Sequence, residues 1–182
     1  MGVSVISGVL VGFDVCAASC VLVGFGGGAV SANRNTIGVH APMATAIADV
    51  AEARRDYMDE SGGRYVHVIA DGGIGRSGDL SRAIACGADA VMLGAAIARA
   101  EEAPGRGWHW GSEATHPDMP RGQRVHVGTT GTLEQILYGP STRADGSLNF
   151  VGALKRTMAS TGYSEVKDLQ RAQVVVSPYS AS

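Results

Sequence analysis

Short apolar runs, most of them ending in glycine, divide the chain into repeating units. Four continuous apolar stretches have the length of a strand: residues 3–6, 21–23, 66–70 and 90–93. Strands that are apolar on both faces are typical of a parallel sheet covered by helices. The pattern therefore predicts parallel strands whose carboxyl ends meet at one edge of a sheet.

Segments with helical spacing lie between and after these runs. Pro42 is placed to open one helix, and Ser77 is placed to cap another that stops at Gly87. Helices are expected over residues 42–60, 77–86, 148–161 and 164–171, while residues 8–18 are ambiguous. The alternation predicts an α/β fold of about four parallel strand–helix units in a single domain, residues 1–182.

Residues 101–147 break the alternation. They hold glycine, proline and both tryptophans with little periodicity. A structureless stretch of this length is usually a functional lid or a disordered segment. We interpret residues 101–147 as a flap-like loop inserted into the domain.

The apolar amino-terminal stretch, residues 3–24, resembles a signal peptide or a membrane span in composition. No Lys or Arg precedes Arg34, so the positive region of a signal peptide is missing, and Asp14 interrupts the run. Two buried strands are the better interpretation, and we expect no membrane association.

Composition narrows the function classes. A formal net charge of -2 gives no electrostatic reason to expect a nucleic-acid partner. Three cysteines, an odd number without zinc-ligand spacing, favour a reducing cytoplasmic location over a disulfide framework. Glycine is the outlier, with 26 residues grouped after apolar runs, where backbone turns tightly or approaches a ligand.

Asp71-Gly72-Gly73 follows a predicted strand, at the end that carries ligands in α/β folds. Two glycines allow backbone N–H groups to converge on a phosphate, the next helix start adds its dipole, and Asp71 can accept hydrogen bonds from ribose hydroxyls. A plain tight turn explains this motif alone equally well. Gly94-Ala95 closes the next strand in the same way, and paired loops of this kind form phosphate sites in (β/α)-barrels.

Residues 24–28 also follow a strand and are rich in glycine. A dinucleotide-binding motif would need a helix directly after them, but residues 31–34 have the composition of a loop. We therefore discount a Rossmann site.

Several stretches around Asp71 match one known pattern. They are VIADGGI, SGD and AIACGADAVMLG within residues 68–94, EEAPG at 101–105, VGFGGGAVS at 23–31 and PMATAI at 42–47. These motifs resemble the IMP dehydrogenase/GMP reductase family, over roughly residues 20–176. The resemblance implies the carboxyl-terminal half of a (β/α)8 barrel and a purine nucleoside monophosphate, IMP or GMP, as ligand.

The resemblance also implies roles for individual residues. Asp71 would hold the ribose hydroxyls. The phosphate would be held by backbone of Gly72, Gly73, Gly94 and Ala95 and flanked by Gly28 and Ala29. Gly24, Phe25 and Gly26 would lie beside the nicotinamide of NAD(P), and the carbonyls of Gly26, Gly28 and Ser31 match a monovalent-cation site for K⁺.

Departures from the family pattern weaken the expectation of catalysis. The family's nucleophile is a cysteine that attacks C2 of the purine, and this chain has Ser31 at that position. A serine hydroxyl is much harder to ionise than a thiol of pKa ~8.5. Ala29 and Ala95 stand where the family has serine, and the family's base-reading run and its Arg-Tyr pair are missing from residues 101–147. Arg64-Tyr65 precedes the wrong strand for that pair, so we interpret it as structural.

The leading hypothesis is an IMP dehydrogenase-related oxidoreductase of purine nucleotide metabolism that binds its nucleotide with little turnover. GMP reductase and a non-catalytic nucleotide-binding regulatory paralogue are the alternatives, and a flavin mononucleotide ligand is a remoter one. A full barrel needs at least ~200 residues. We therefore expect half a barrel with open sheet edges, which is either a fragment of a longer gene product, a truncated chain, or a chain that self-associates into a homo-oligomer.

Overall fold

The structure is a computed structural model that describes residues 19–24, 27–28, 38–109 and 124–175. The strand predicted at 3–6 and the ambiguous segment at 8–18 lie outside the described residues.

Three parallel strands form the sheet that organises the molecule: β1 (Cys20–Val23), β2 (His67–Asp71) and β3 (Ala90–Met92). Their spatial order is β1-β2-β3, the same as their order along the chain. Val23 pairs with Ala70, and Asp71 pairs with Met92. The register brings the carboxyl ends of the strands to one edge, which is the arrangement that the apolar runs predict.

Helices connect the strands. Helix α1 (Met43–Glu60) joins β1 to β2, α2 (Ser77–Ala85) joins β2 to β3, and the short α3 (Ala95–Ala98) follows β3. Successive parallel neighbours joined by helices are the repeating unit of a (β/α)-barrel, so the predicted fold class is confirmed as a partial barrel. None of the helices in the described ranges is long and apolar enough to cross a bilayer.

The start of α2 differs from the sequence prediction. Ser77 is the first helical residue and does not cap the helix, since Arg76 occupies the N-cap position. The Asp79 carboxylate accepts hydrogen bonds from the N–H groups of Gly75 (3.2 Å) and Arg76 (2.9 Å). A carboxylate at this position satisfies N–H groups that the helix leaves free and also faces its positive end, which a serine hydroxyl cannot match.

The stretch 101–147, for which no element was predicted, contains several. The strands β4 (Trp108–His109) and β5 (Val125–His126) pair antiparallel in a two-stranded sheet, and α4 (Leu133–Tyr138) follows. Helix α4 has six residues, too few for an apolar periodicity to be recognised. The chain then continues into α5 (Phe150–Thr161), which ends at the left-handed Gly162 as predicted, and α6 (Val166–Leu169).

The core lies on one face of the sheet. Val68, Ile47 of α1 and Phe150 of α5 are fully buried there. On the opposite face Leu22 and Met92 are 41% and 45% exposed. The described helices therefore cover one face of the sheet, as the outer ring of helices does in a (β/α)-barrel.

A network of hydrogen bonds surrounds the Asp89 carboxylate at the amino-terminal end of the sheet. Asp89 immediately precedes β3, and its side chain is only 7% exposed. It accepts hydrogen bonds from Arg54, Tyr65, the backbone N–H of Val68, Lys167 and Gln170. The network ties α1, β2 and the region of α6 to one buried charge, and it gives Tyr65 the structural role that the sequence suggested.

Candidate functional site

Asp71 and the two glycines after it form a sharp turn at the carboxyl end of β2. Gly72 and Gly73 have φ angles of +117° and +74°, which non-glycine residues rarely adopt. Asp71 is half-buried, and strand alternation places it on the same face as Ile69, the face that helices do not cover. A carboxylate is thus presented beside a turn whose conformation requires glycine.

Gly24 fixes the end of β1 against this turn. A Cβ atom at position 24 would lie 1.8 Å from the carbonyl oxygen of Asp71 and 2.7 Å from the Met43 side chain. Only a residue without a side chain permits this approach, and the φ of +149° independently favours glycine. The loops after β1 and β2 therefore form one closely packed unit.

Gly27 and Gly28 continue the contact between the two loops. A Cβ at Gly73 would lie 3.1 Å from the Gly27 carbonyl oxygen, and one at Gly72 would lie 3.5 Å from the Gly28 nitrogen. The fold thus brings Gly28 together with Gly72 and Gly73, three residues to which the family resemblance gives a phosphate-binding role. Their backbone groups are close enough to act on one small ligand.

A cavity of about 320 Å³ opens beside these glycines. Gly27, Gly72 and Gly73 line it together with His40 and Arg82. Asp71 does not line it. The cavity therefore adjoins the two glycines and not the carboxylate that precedes them.

Gly94 and Ala95 lie at the same edge of the sheet, two and three residues after Met92, the partner of Asp71. Gly94 precedes α3, and Ala95 is its first residue. The His109 ring lies against Gly94, with Nε2 3.4 Å from the place of a Cβ at that position. No pattern along the chain singles out His109, because it lies in the aperiodic stretch after residue 101.

The remaining predicted site residues lie outside the described residues: Phe25, Gly26, Ala29 and Ser31. Of the proposed cation ligands only Gly28 is described, and of the nicotinamide-binding residues only Gly24. Among the described residues no group of three or more His, Cys, Asp or Glu side chains could hold a metal ion. The cation and cofactor assignments stay predictions.

The start of α2 contributes less to a phosphate site than its position suggested. Asp79 already accepts from the N–H groups of Gly75 and Arg76, and the Ser77 N–H donates to the Gly146 carbonyl at 2.8 Å. The dipole that the sequence analysis assigned to a ligand is therefore balanced within the protein. Any anion at the turn relies on the N–H groups of Gly72 and Gly73.

The fold and the glycine loops define the chain as a parallel α/β protein of the barrel class, with a candidate site at the carboxyl ends of its strands. The model of the IMP dehydrogenase / GMP reductase domain matches residues 11–182. The chain belongs to the IMP dehydrogenase/GMP reductase family.

Relatives agree with this assignment. An uncharacterized oxidoreductase of Mycolicibacterium smegmatis is 52% identical over 87% of this chain and 43% of its own length. An inosine-5'-monophosphate dehydrogenase of Aquifex aeolicus is 33% identical over 84% of this chain and 33% of its own. The crystal structure of an IMP dehydrogenase/GMP reductase-like protein from Corynebacterium glutamicum superimposes with a TM-score of 0.79 at 52% identity, covering 88% of this chain and 42% of that one. The chain thus spans less than half the length of these relatives.

Proposed function

We propose that this chain is an oxidoreductase-family protein of purine nucleotide metabolism that binds a purine nucleoside monophosphate, IMP or GMP, at the Asp71-Gly72-Gly73 turn. The observation that carries the proposal is the packing of the β1 and β2 loops, which leaves no room for a side chain at Gly24 beside Asp71 and would place a Cβ at Gly72 3.5 Å from the Gly28 nitrogen. Membership of the IMP dehydrogenase/GMP reductase family supports a purine nucleoside monophosphate as the ligand of these loops.

In the proposed complex the turn separates two tasks. Backbone N–H groups of Gly72 and Gly73 hold the phosphate, because a left-handed glycine pair exposes consecutive N–H groups to one anion. Asp71 accepts hydrogen bonds from the ribose hydroxyls. Charge-assisted bonds of this kind contribute about 1.5–3 kcal/mol each, so Asp71 is the residue whose loss should weaken binding most.

The redox cofactor in the proposal is NAD(P), which would accept or supply the hydride when bound. Gly24 fits a position beside a planar ring, because it presents backbone without a side chain and its close contact with Asp71 holds it still. Phe25 and Gly26 would complete that surface, and Gly26, Gly28 and Ser31 would offer carbonyls to K⁺.

We further propose that turnover is slow. Ser31 replaces the thiol nucleophile of the family, and a hydroxyl needs a neighbouring base that the sequence does not offer. A non-catalytic regulatory paralogue is accordingly the second candidate, because it needs the nucleotide site and not the nucleophile. GMP reductase activity depends on the same nucleophile and is disfavoured for the same reason.

Calorimetric titration of the purified chain with IMP and with GMP tests nucleotide binding. We expect saturable binding that weakens at least tenfold in Asp71→Ala and is unchanged in Asp59→Ala, an exposed carboxylate at the end of α1. Equal affinities for wild type and Asp71→Ala would refute the assignment of the site.

Absorbance at the nicotinamide band tests catalysis. With IMP and NAD⁺ we expect rates far below the 1–10³ s⁻¹ typical of enzymes. Binding without turnover supports the regulatory paralogue, whereas ordinary turnover by the Ser31 chain would show that the argument from the nucleophile is wrong. A Ser31→Cys variant separates nucleotide binding from catalysis. We expect it to bind IMP as tightly as wild type and to turn over NAD⁺ faster.

A further inference from the structure

A second cavity has a volume of about 420 Å³. The residues that line it include Gly75, Arg76, Arg99, Thr130 and Arg143. Of the candidate nucleotide-binding residues that the structure describes, none lines it. Its volume falls within the range of about 300–1,000 Å³ typical of small-molecule sites, which is more than a single ion requires. We call it the Arg76–Arg99 cavity.

Arg99 is held in place by its surroundings. Its Nε donates to the Val127 carbonyl at 3.1 Å, and its own carbonyl accepts from the Thr130 N–H at 2.9 Å. The adjacent Ala100 bridges to Gly131. These bonds fix the guanidinium against the 127–131 segment, so little side-chain freedom remains to be lost when an anion binds.

Charge in the cavity is not balanced. Asp79 and Asp145 also line it, but Asp79 pairs with Arg82, and Asp145 pairs with Arg143. Hydrogen bonds from Arg143 and from Ser147 hold the pKa of Asp145 well below its usual range. This carboxylate therefore stays charged and remains bonded to Arg143 and Ser147. Within the described ranges, no carboxylate pairs with Arg76 or Arg99.

Two unpaired guanidiniums in one cavity match a dianion. Arginine presents N–H groups in a fixed fork that fits phosphate oxygens in bidentate fashion, and charge-assisted bonds of this type are the strong ones. Thr129 and Thr130 add two hydroxyl-bearing residues to the lining of the same cavity. The chemistry therefore favours a phosphate or diphosphate group carried by a small molecule.

We propose that the Arg76–Arg99 cavity is a second anion site, separate from the Asp71 turn, which binds the phosphate or diphosphate group of a small molecule. The two sites share one loop, since only Ile74 separates Gly75 and Arg76 from Asp71-Gly72-Gly73. This inference does not depend on the proposed function, because it rests on the arginines alone.

Calorimetry with inorganic pyrophosphate, in buffer free of phosphate and sulfate at constant ionic strength, tests the proposal. We expect wild type to bind pyrophosphate, and Arg99→Met and Arg76→Met each to weaken binding at least tenfold. Arg55→Met removes an exposed arginine on α1, outside the cavity, and should leave binding unchanged. Because Arg99 also bonds to the backbone, its loss could disturb folding, so far-ultraviolet circular dichroism should show that each variant is folded. Arg76 is exposed, so weaker binding by the Arg76 variant is not explained by a loss of folding.

Two further titrations separate this site from the nucleotide site. Pyrophosphate should bind Asp71→Ala as tightly as wild type, and saturating IMP should not displace it. Competition between IMP and pyrophosphate, or equal binding by the Arg99 and Arg55 variants, would overturn the proposal. Succinate, a dianion without phosphate geometry, should bind at least tenfold more weakly, and equal affinity would refute the phosphate assignment. If the protein bound pyrophosphate but not IMP, the proposed function would be refuted and the second anion site would still be supported.

Discussion

Replacing Asp89 by asparagine removes the charge on which the network at the amino-terminal end of the sheet depends. The substitution keeps the size of the side chain but turns one acceptor oxygen into a donor. Arg54, only 9% exposed, then has a buried positive charge with no carboxylate beside it. Tyr65 and Gln170 lose the acceptor Oδ1 that they share.

The size of the loss follows from burial. Breaking a buried ion pair by removing one partner costs about 3–5 kcal/mol, because the other charge stays desolvated. The contribution of Lys167 is small, about 0–1 kcal/mol, since its side chain is 57% exposed and water screens the pair. We therefore expect Asp89→Asn to lose about 3–5 kcal/mol of unfolding free energy, a large share of the roughly 5–15 kcal/mol typical of a domain.

The dependence on pH has a definite sign. Burial acts to raise the pKa of Asp89, but hydrogen bonds from Lys167, Tyr65, Gln170 and Val68 outweigh it and hold the pKa well below its usual value. A carboxyl whose pKa is lower when folded stabilises the protein above the unfolded pKa of about 3.9. That contribution falls by roughly 1.4 kcal/mol per pH unit below it.

Urea denaturation followed by circular dichroism measures both effects. At pH 7 the variant should be less stable by the stated amount, while Asp59→Asn, an exposed carboxylate on the same helix as Arg54, should change stability by less than about 0.5 kcal/mol. The gap between wild type and Asp89→Asn should shrink as the pH falls below about 4. A gap of the same size at pH 3 and pH 7, or no gap at pH 7, would refute the reasoning.

Two further substitutions test contacts described above. Gly24→Ala places a Cβ 1.8 Å from the Asp71 carbonyl oxygen, whereas Gly62→Ala, also at positive φ, meets open space. Thermal unfolding should show a loss for Gly24→Ala at least about 1 kcal/mol larger than for Gly62→Ala, and equal losses would contradict the close approach. Phe150→Ala empties a fully buried core position and should cost about 3–5 kcal/mol, whereas Tyr138→Ala, 66% exposed, should cost far less in the same urea titration.

The sheet and its glycine-rich edge could be predicted because both depend on local patterns. Apolar runs give the strands, glycine after each run gives the turn, and Gly162 ends α5 where the helical spacing stops. The motifs from Asp71 to Gly94 also allow the protein family to be predicted. Information of this kind is present within a few residues of each feature.

Other features depend on contacts that sequence spacing does not reveal. Asp89 meets Arg54 and Lys167 across 35 and 78 positions, and Arg99 meets Val127 across 28. Helix α4 is different, because a readable signal preceded it: Thr132 and Gln135 form a capping box, which the short length of the helix obscured. The capping prediction for Ser77 was wrong because serine is a common N-cap residue at a helix start. In the structure the Asp79 carboxylate accepts the hydrogen bonds at this helix start.

The two ends of β2 serve different purposes, and their separation has an evolutionary consequence. Val68, in the Asp89 network, and Asp71, in the candidate site, are three residues apart along the strand, about 10 Å at 3.3 Å per residue. Substitutions so far apart without shared partners usually have additive effects. A lineage of this fold can therefore exchange ligand preference at one end while compensating for lost stability at the other, and a laboratory selection can search the two ends as separate libraries.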